Sequence, residues 1–260
     1  MTTIAIAGKG GTGKTSLAGL MIDELVRARY GSVLAIDADP SSNLHSVLGL
    51  PLPESVGDIR EEMLTTAGRG AFVGLSRHDY AEYRIQEALV ESCGLDLLAM
   101  GRPEGPGCYC AANNTLRLFV DRLSGAYDYV VIDNEAGLEH LSRRTTRDVD
   151  YLLVVSDPTM RGIEAARRVL QLVSELKTTV HQSLLAINRT IGPLSGAVAE
   201  AAALLPVEHT VTIPLDPQVA EFDAVGRPLV ALPPGSPMRR GAAEVLSRIV
   251  PEREHKEVLP

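Results

Sequence analysis

The stretch Gly8-Lys9-Gly10-Gly11-Thr12-Gly13-Lys14-Thr15 decides how this chain is read. It fits G-x-x-x-x-G-K-[ST], and it stands between a short apolar strand candidate, Thr3–Ala7, and a helical pattern, Ser16–Arg29. Strand, glycine loop and helix in that order is the setting in which such a loop wraps phosphate. Glycines let backbone N–H groups turn inward on phosphate oxygens, and the helix N-terminus adds partial positive charge. Lys14 then reaches the outer phosphates, and the Thr15 hydroxyl, with Ser16 beside it, holds Mg²⁺. The pattern predicts a bound nucleotide.

Lys9 is a second cation that the ordinary phosphate loop does not need. Aimed at its own nucleotide it would crowd Lys14. It is either a plain surface lysine or one that reaches a partner's phosphates across a dimer interface, as an arginine finger does. The box K-G-G-x-x-G-K-T resembles the deviant Walker A box of the MinD/ParA class of dimerising ATPases. That resemblance implies ATP as the nucleotide, a homodimer, and the trans role for Lys9.

The bulk numbers narrow the classes. The chain has 260 residues, 45% of them hydrophobic, which suits one large α/β domain over residues 1–250 with a frayed tail at 251–260. Net charge is −8, so broad attraction to nucleic acid is not expected, and there is no tryptophan to stack on bases. No apolar run approaches a membrane span, and the first apolar stretch leads straight into the glycine loop, so it reads as a strand and not a leader. Three cysteines without a secretory signal point to the reducing cytoplasm.

Apolar runs alternate with helical patterns. Strands are expected near Thr3–Ala7, Ser32–Ile36, Leu95–Ala99, Tyr129–Asp133, Tyr151–Ser156, Ser183–Asn188 and Thr210–Ile213. Helices are expected near Ser16–Arg29, Thr115–Leu123, Leu138–Asp148, Arg161–Leu176 and Met238–Ile249. This predicts a doubly wound, mainly parallel sheet of seven or eight strands with helices on both faces, and ligands at the carboxyl ends of the strands. Residues Gly49–Gly94 are the least regular and read as an insertion of short helices. Pro233–Pro237 reads as a loop before the last helix.

Residues just past the strands carry the chemistry. Asp37-Ala38-Asp39-Pro40 puts two carboxylates beside the glycine loop. Asp37 suits a metal-bound water, and Asp39 suits orienting or deprotonating an attacking water; a plain turn is the alternative. Asn43 matches a position that senses phosphate in the family it resembles. Asp133-Asn134-Glu135-Ala136-Gly137 ends another strand. Asp133 resembles a Walker B carboxylate near Mg²⁺, or caps the next helix, and Gly137 would offer its N–H to the terminal phosphate. Relatives more often read D-x-P-A-G, so Glu135 leaves the shape of this loop open. Asn188 and Arg189 are expected at the adenine edge and face, with backbone beside Pro214 contacting the base; bottom-up they are loops on the ligand edge.

Cys108-Tyr109-Cys110 follows a run of glycines and prolines, Gly101-Arg102-Pro103-Glu104-Gly105-Pro106-Gly107. Two thiolates do not complete a tetrahedral set, but two such loops across a twofold axis supply four, suiting Zn²⁺ or planar Ni²⁺. Incidental thiols are the alternative. Cys93 is expected to pack inside. The loop G-R-P-E-G-P-G-C-Y-C, the run Asp133 to Thr145 (DNEAGLEHLSRRT) and the glycine loop together look like CooC, the ATPase family that assists nickel insertion into carbon monoxide dehydrogenase. The resemblance implies a cytoplasmic, Mg²⁺-dependent ATPase, dimeric with nucleotide or metal, binding nickel or zinc through Cys108 and Cys110 for a nickel dehydrogenase client, with no nucleic acid and no membrane. His140 is expected in a structural or switch role. Two rivals stand beside it. One is a MinD/ParA-like positioning or partitioning ATPase without a metal role; the acidic balance speaks against DNA, and the tail Arg253-Glu254-His255-Lys256-Glu257, with no apolar face, speaks against a membrane. The other is an iron–sulfur carrier or reductase, whose widely separated single cysteines or C-x-x-C pair are not matched.

Overall fold

The computed structural model describes residues 1–66, 76–101, 118, 120–135, 148–176 and 179–250. The strands are β1 (Thr2–Gly8), β2 (Val33–Ala38), β3 (Val90–Ser92), β4 (Leu95–Ala99), β5 (Tyr129–Asn134), β6 (Asp148–Ser156), β7 (Thr179–Thr190) and β8 (His209–Pro214). They form one eight-stranded sheet in the order β3-β4-β2-β5-β1-β6-β7-β8, parallel throughout except for the β3–β4 hairpin. The helices are α1 (Lys14–Arg27), α2 (Leu44–Leu48), α3 (Val56–Thr66), α4 (Arg77–Ala88), α5 (Met160–Glu175), α6 (Gly196–Ala203), α7 (Pro217–Ala224) and α8 (Pro237–Ile249).

Side-chain alternation along the strands sorts the core into two faces. Ile4 and Ile6 of β1, Val33 and Ala35 of β2, and Tyr129 and Val131 of β5 pack with Leu17, Met21 and Leu25 of α1 and Val245 and Ile249 of α8. Residues of the other parity face away. Ala5 and Ala7 pack with Ile163 and Val198, under α5 and α6. Leu34, Ile36, Val130 and Ile132 pack with Ile59, Met63 and Ile85, under α3 and α4. Strands covered on both faces need continuous apolar runs, and β1, β2 and β5 supply them.

Parity also places the acids. Asp37 continues the Val33–Ala35 row, and Asp133 continues the Tyr129–Val131 row. Both therefore stand on the α1 face, and the register pairs Asp37 with Asp133 and Ile6 with Asp133. The sheet thus delivers two carboxylates to the N-terminal end of α1.

The last helix is bolted to this face by a buried cation. Arg239 donates to Asp23 of α1 at 2.6 Å, to Val230 O at 2.5 Å and to Leu232 O at 3.1 Å. Asp216 holds the start of α8, accepting from Ser236 Oγ at 2.5 Å and Met238 N at 3.3 Å. Arg84 gathers Glu54, Glu62 and Glu87 and ties α4 to α3.

The doubly wound sheet of the sequence reading is present, with the 49–94 region built largely of short helices. Some details differ. Asp148, expected to end a helix, opens β6, where it pairs with Thr179. Strand β7 starts four residues early because that pairing extends a stretch too polar to read as a strand, Thr179–Gln182. Cys93 is exposed, not internal, since it lies in the tight turn of the β3–β4 hairpin beside Gly94 at φ 76°.

Candidate functional site

The glycine loop runs from β1 into α1 and folds on itself. Thr12 Oγ1 donates to Lys9 O at 2.9 Å, and Lys14 Nζ donates to the same carbonyl at 3.2 Å. Gly8 is required by contact: a Cβ there would lie 2.2 Å from Val155 O on the neighbouring β6. Gly13 caps α1 at φ 90°, a left-handed backbone that side chains resist. It brings no capping side chain, and no acid lies in the first turn of α1, so the first N–H groups of the helix face the loop without a partner from the helix's own start. Lys14 is buried there. Desolvation lowers its pKa, against the opposing pull of Asp133, Asp39 and Glu135.

The two sheet carboxylates differ. Asp37 accepts from Leu44 N at 2.9 Å and Asp39 N at 3.1 Å, so it braces the loop that carries Asp39 and Asn43. Burial raises its pKa. Asp133 is fully buried, and neither of its oxygens has a hydrogen-bond partner among the described residues. Burial first, then repulsion from Asp37 and Asp39, push it up to about 7. Lys14 and the Thr15 hydroxyl pull the other way, the hydroxyl lying close by but outside hydrogen-bond geometry. A partnerless carboxylate beside Thr15 and Asp37 fits a hard, oxygen-seeking cation such as Mg²⁺. Asp39 is half-buried and accepts from Ser41 N at 2.8 Å. Asn43 is exposed at the start of α2 and does not spend its side chain on the cap.

Lys9 does not enter its own loop. Its Nζ lies 3.5 Å from Asp157 Oδ2. The β1–β6 register, which pairs Gly8 with Val155, brings the two together. Asp157 is held in place: Thr159 Oγ1 donates to its Oδ1, and Gly162 leaves the room it needs, since a Cβ there would sit 2.3 Å from Oδ1. The sequence reading passed over Asp157, although an acid just past a strand on the ligand edge was the available signal.

On the far side, Asn188 is buried and donates through Nδ2 to Thr12 O at 2.8 Å. Arg189 is exposed at φ 62°. The end of β7 meets the end of β8 where Leu215 N donates to Thr190 O at 3.0 Å, which sets Pro214 beside the Asn188–Arg189 turn. The structure therefore gathers Gly8, Lys9, Gly10, Gly11, Thr12, Gly13, Lys14, Thr15 and Ser16 with Asp37, Asp39, Asp133, Asn188, Arg189 and Pro214 along one edge of the sheet. Gly137, Cys108, Cys110 and His140 lie outside the described residues.

Known proteins share this architecture. The family described as "AAA domain" matches residues 1–186. An uncharacterised ATP-binding protein of Methanocaldococcus jannaschii is 40% identical, over 95% of this chain and 98% of its own. The carbon monoxide dehydrogenase accessory protein CooC of Rhodospirillum rubrum is 30% identical, over 96% of each. Among solved structures, the MinD cell division protein of Aquifex aeolicus superposes with a TM-score of 0.66, covering 97% of this chain and 100% of its own at 22% identity, which shows a common fold. The glycine loop thus has a known setting: this chain is a member of the AAA-domain family, and it shares the fold of MinD.

Proposed function

We propose that the chain is a Mg²⁺-dependent, ATP-hydrolysing metallochaperone of the cytoplasm that works as a homodimer and supplies nickel, or zinc, through Cys108 and Cys110, with a nickel-containing carbon monoxide dehydrogenase as client. The observation that carries this reading is the Cys108-Tyr109-Cys110 pair in a chain similar to CooC over 96% of its length.

The site supports the ATPase half directly. Lys14 and the first N–H groups of α1 bind the phosphates. Thr15, Asp37 and Asp133 would hold Mg²⁺, which when bound neutralises charge on the β- and γ-phosphates. Asp39, carried on the loop that Asp37 braces, orients the attacking water. Asn43 and Gly137 sense the terminal phosphate. Asn188, Arg189 and Pro214 frame the adenine. Lys9, turned aside to Asp157, leaves that pair and meets the phosphates of a partner. In the closed dimer two Cys108/Cys110 pairs complete a four-thiolate set for the cargo ion, and hydrolysis loosens it. Linkage requires that an ion bound only by the closed dimer tighten nucleotide in return.

Equilibrium Ni²⁺ and Zn²⁺ binding with and without ATP, in wild type and Cys110→Ser, tests the proposal. The expected result is one ion per two chains, tightened by ATP and lost in the variant. Identical stoichiometry and affinity in the variant would remove the thiol site. ATP-dependent cosedimentation with DNA or anionic vesicles, without ion binding, would favour a positioning ATPase of the kind whose fold it shares.

A further inference from the structure

Asn188 stands where an adenine reader is expected, yet its amide is spent on the phosphate loop. Nδ2 donates to Thr12 O at 2.8 Å, and both groups are buried. At its other end, Oδ1 accepts from Arg189 N at 2.8 Å. That second bond sits on a strained turn. Arg189 has φ 62°, and the β7–β8 register slips there, running from Asn188 opposite Ile213 to Thr190 opposite Pro214. The contact on the loop side is close. A Cβ on Gly13 would lie 2.5 Å from Asn188 Nδ2, so Gly13 and Asn188 fit only as a pair. Gly13 O in turn accepts from Leu17 N at 3.0 Å and starts the helix that carries Lys14 and Thr15.

We propose that Asn188 is a positioning residue of the phosphate loop: its buried amide fixes the carbonyl of Thr12, and through Gly13 the start of α1, while its oxygen pins Arg189 at the base edge. This rests on nucleotide binding at the glycine loop and goes beyond reading the base. A buried carbonyl that loses its donor pays to stay dry, so the loop would relax away from the shape that meets phosphate. The effect is then felt by the phosphates, whether or not a base is present.

The test compares binding of Mg-ATP with binding of Mg-tripolyphosphate, which has no base, in wild type, Asn188→Ala, Asn188→Asp and Arg189→Gly. In Asn188→Ala both ligands should weaken by a common factor, on the order of tenfold. Asn188→Asp has the same shape and keeps the acceptor for Arg189 N, but it sets a carboxylate oxygen against Thr12 O, so the common loss should persist in a side chain that fills the same space. Arg189→Gly tolerates φ 62° and leaves the Asn188–Thr12 bond in place; it should weaken ATP and spare tripolyphosphate. If Asn188→Ala or Asn188→Asp weakens ATP alone, the side chain is a base reader and the proposal falls. It also falls if neither ligand is affected. Loss of tripolyphosphate binding in a Lys14→Ala control separates a failure of this idea from a failure of the nucleotide site itself.

Discussion

One aspartate at the carboxyl edge of the sheet is held in the opposite way to three at the amino edge. Asp128, Asp150 and Asp96, at the amino edge, are each bound to a partner. Asp128 accepts from Ser32 N at 2.8 Å and Ser32 Oγ at 3.0 Å, Asp150 accepts from Thr3 N at 2.7 Å, and Asp96 accepts from the Tyr127 hydroxyl at 2.5 Å. At the carboxyl edge Asp133 is more deeply buried than any of these and has no hydrogen-bond partner among the described residues. The first arrangement sews strands together. The second holds a charge at a cost that only a ligand relieves. The difference teaches that burial alone does not mark a structural acid; what matters is whether the protein itself satisfies it.

The largest effect should come from removing the cation at the carboxyl edge. Lys14→Ala is expected to cut ATP turnover on the order of 10³-fold if, as proposed, Lys14 supplies the donor where phosphate charge develops. Steady-state phosphate release measures it. Turnover within tenfold of wild type would mean that Lys14 does not serve the transferred phosphate.

Asp133→Asn breaks the comparison more sharply, because function and stability should move in opposite directions. Turnover is expected to fall on the order of 10²-fold. The ligand-free protein should become more stable at pH 8. The sign follows from linkage. The folded carboxyl titrates near 7 instead of near 3.8, so between those values the folded state holds the extra proton and wild-type stability falls as pH rises. Above pH 7 the whole penalty is present, about 4 kcal/mol from the width of that window. The variant carries no such penalty. Urea unfolding without Mg²⁺ at pH 5 and pH 8 should show wild type losing stability across the interval more steeply than Asp133→Asn. Parallel curves would mean that Asp133 is not held at that cost.

At the amino edge the counterpart, Asp128→Ala, should do the reverse on a smaller scale. It deletes two hydrogen bonds to Ser32 and should lower stability by about 1–2 kcal/mol while leaving ATP turnover unchanged. The same unfolding and turnover measurements decide it. A loss of turnover without a loss of stability would erase the distinction between the edges.

What could be read from the sequence followed from how local the signal was. The glycine loop is a contiguous pattern. Asp37 and Asp133 sit at the ends of apolar runs, where strand parity sends both to the α1 face. The hairpin strand β3 escaped because three residues, Val90-Glu91-Ser92, carry no usable alternation. Cys93 was expected inside because thiols generally are, but the turn at Gly94 overrides that preference. Asp157 and the strut made by Asn188 were illegible for a different reason. They act on residues 148 and 176 positions away, and only the strand order brings β6 and β7 up to the loop after β1. Asn188 ends β7 beside the glycine loop, but its bond to Thr12 O follows from the strand order and not from any local pattern.

The smallest expected effect concerns the carboxyl-edge acid that pairs with a lysine, Asp157. Asp157 holds Lys9 in cis at 3.5 Å, and the pair is partly exposed, with 48% of the Lys9 side chain open to solvent. Such a pair is weak, within about 1 kcal/mol. If Lys9 must leave it to reach a partner's nucleotide, each dimer breaks two such pairs, so Asp157→Asn should ease dimerisation by up to about 2 kcal/mol. The protein concentration giving half-maximal ATPase activity would then drop by roughly 30-fold or less, and turnover at saturating concentration would stay as it was. Raising the ionic strength should shrink the gap between variant and wild type, because salt screens an exposed pair. A titration of specific activity against protein concentration at two salt levels measures both. If the variant instead needs more protein, Asp157 supports the dimer rather than restraining it, and the carboxyl edge then has an acid that acts like those at the amino edge.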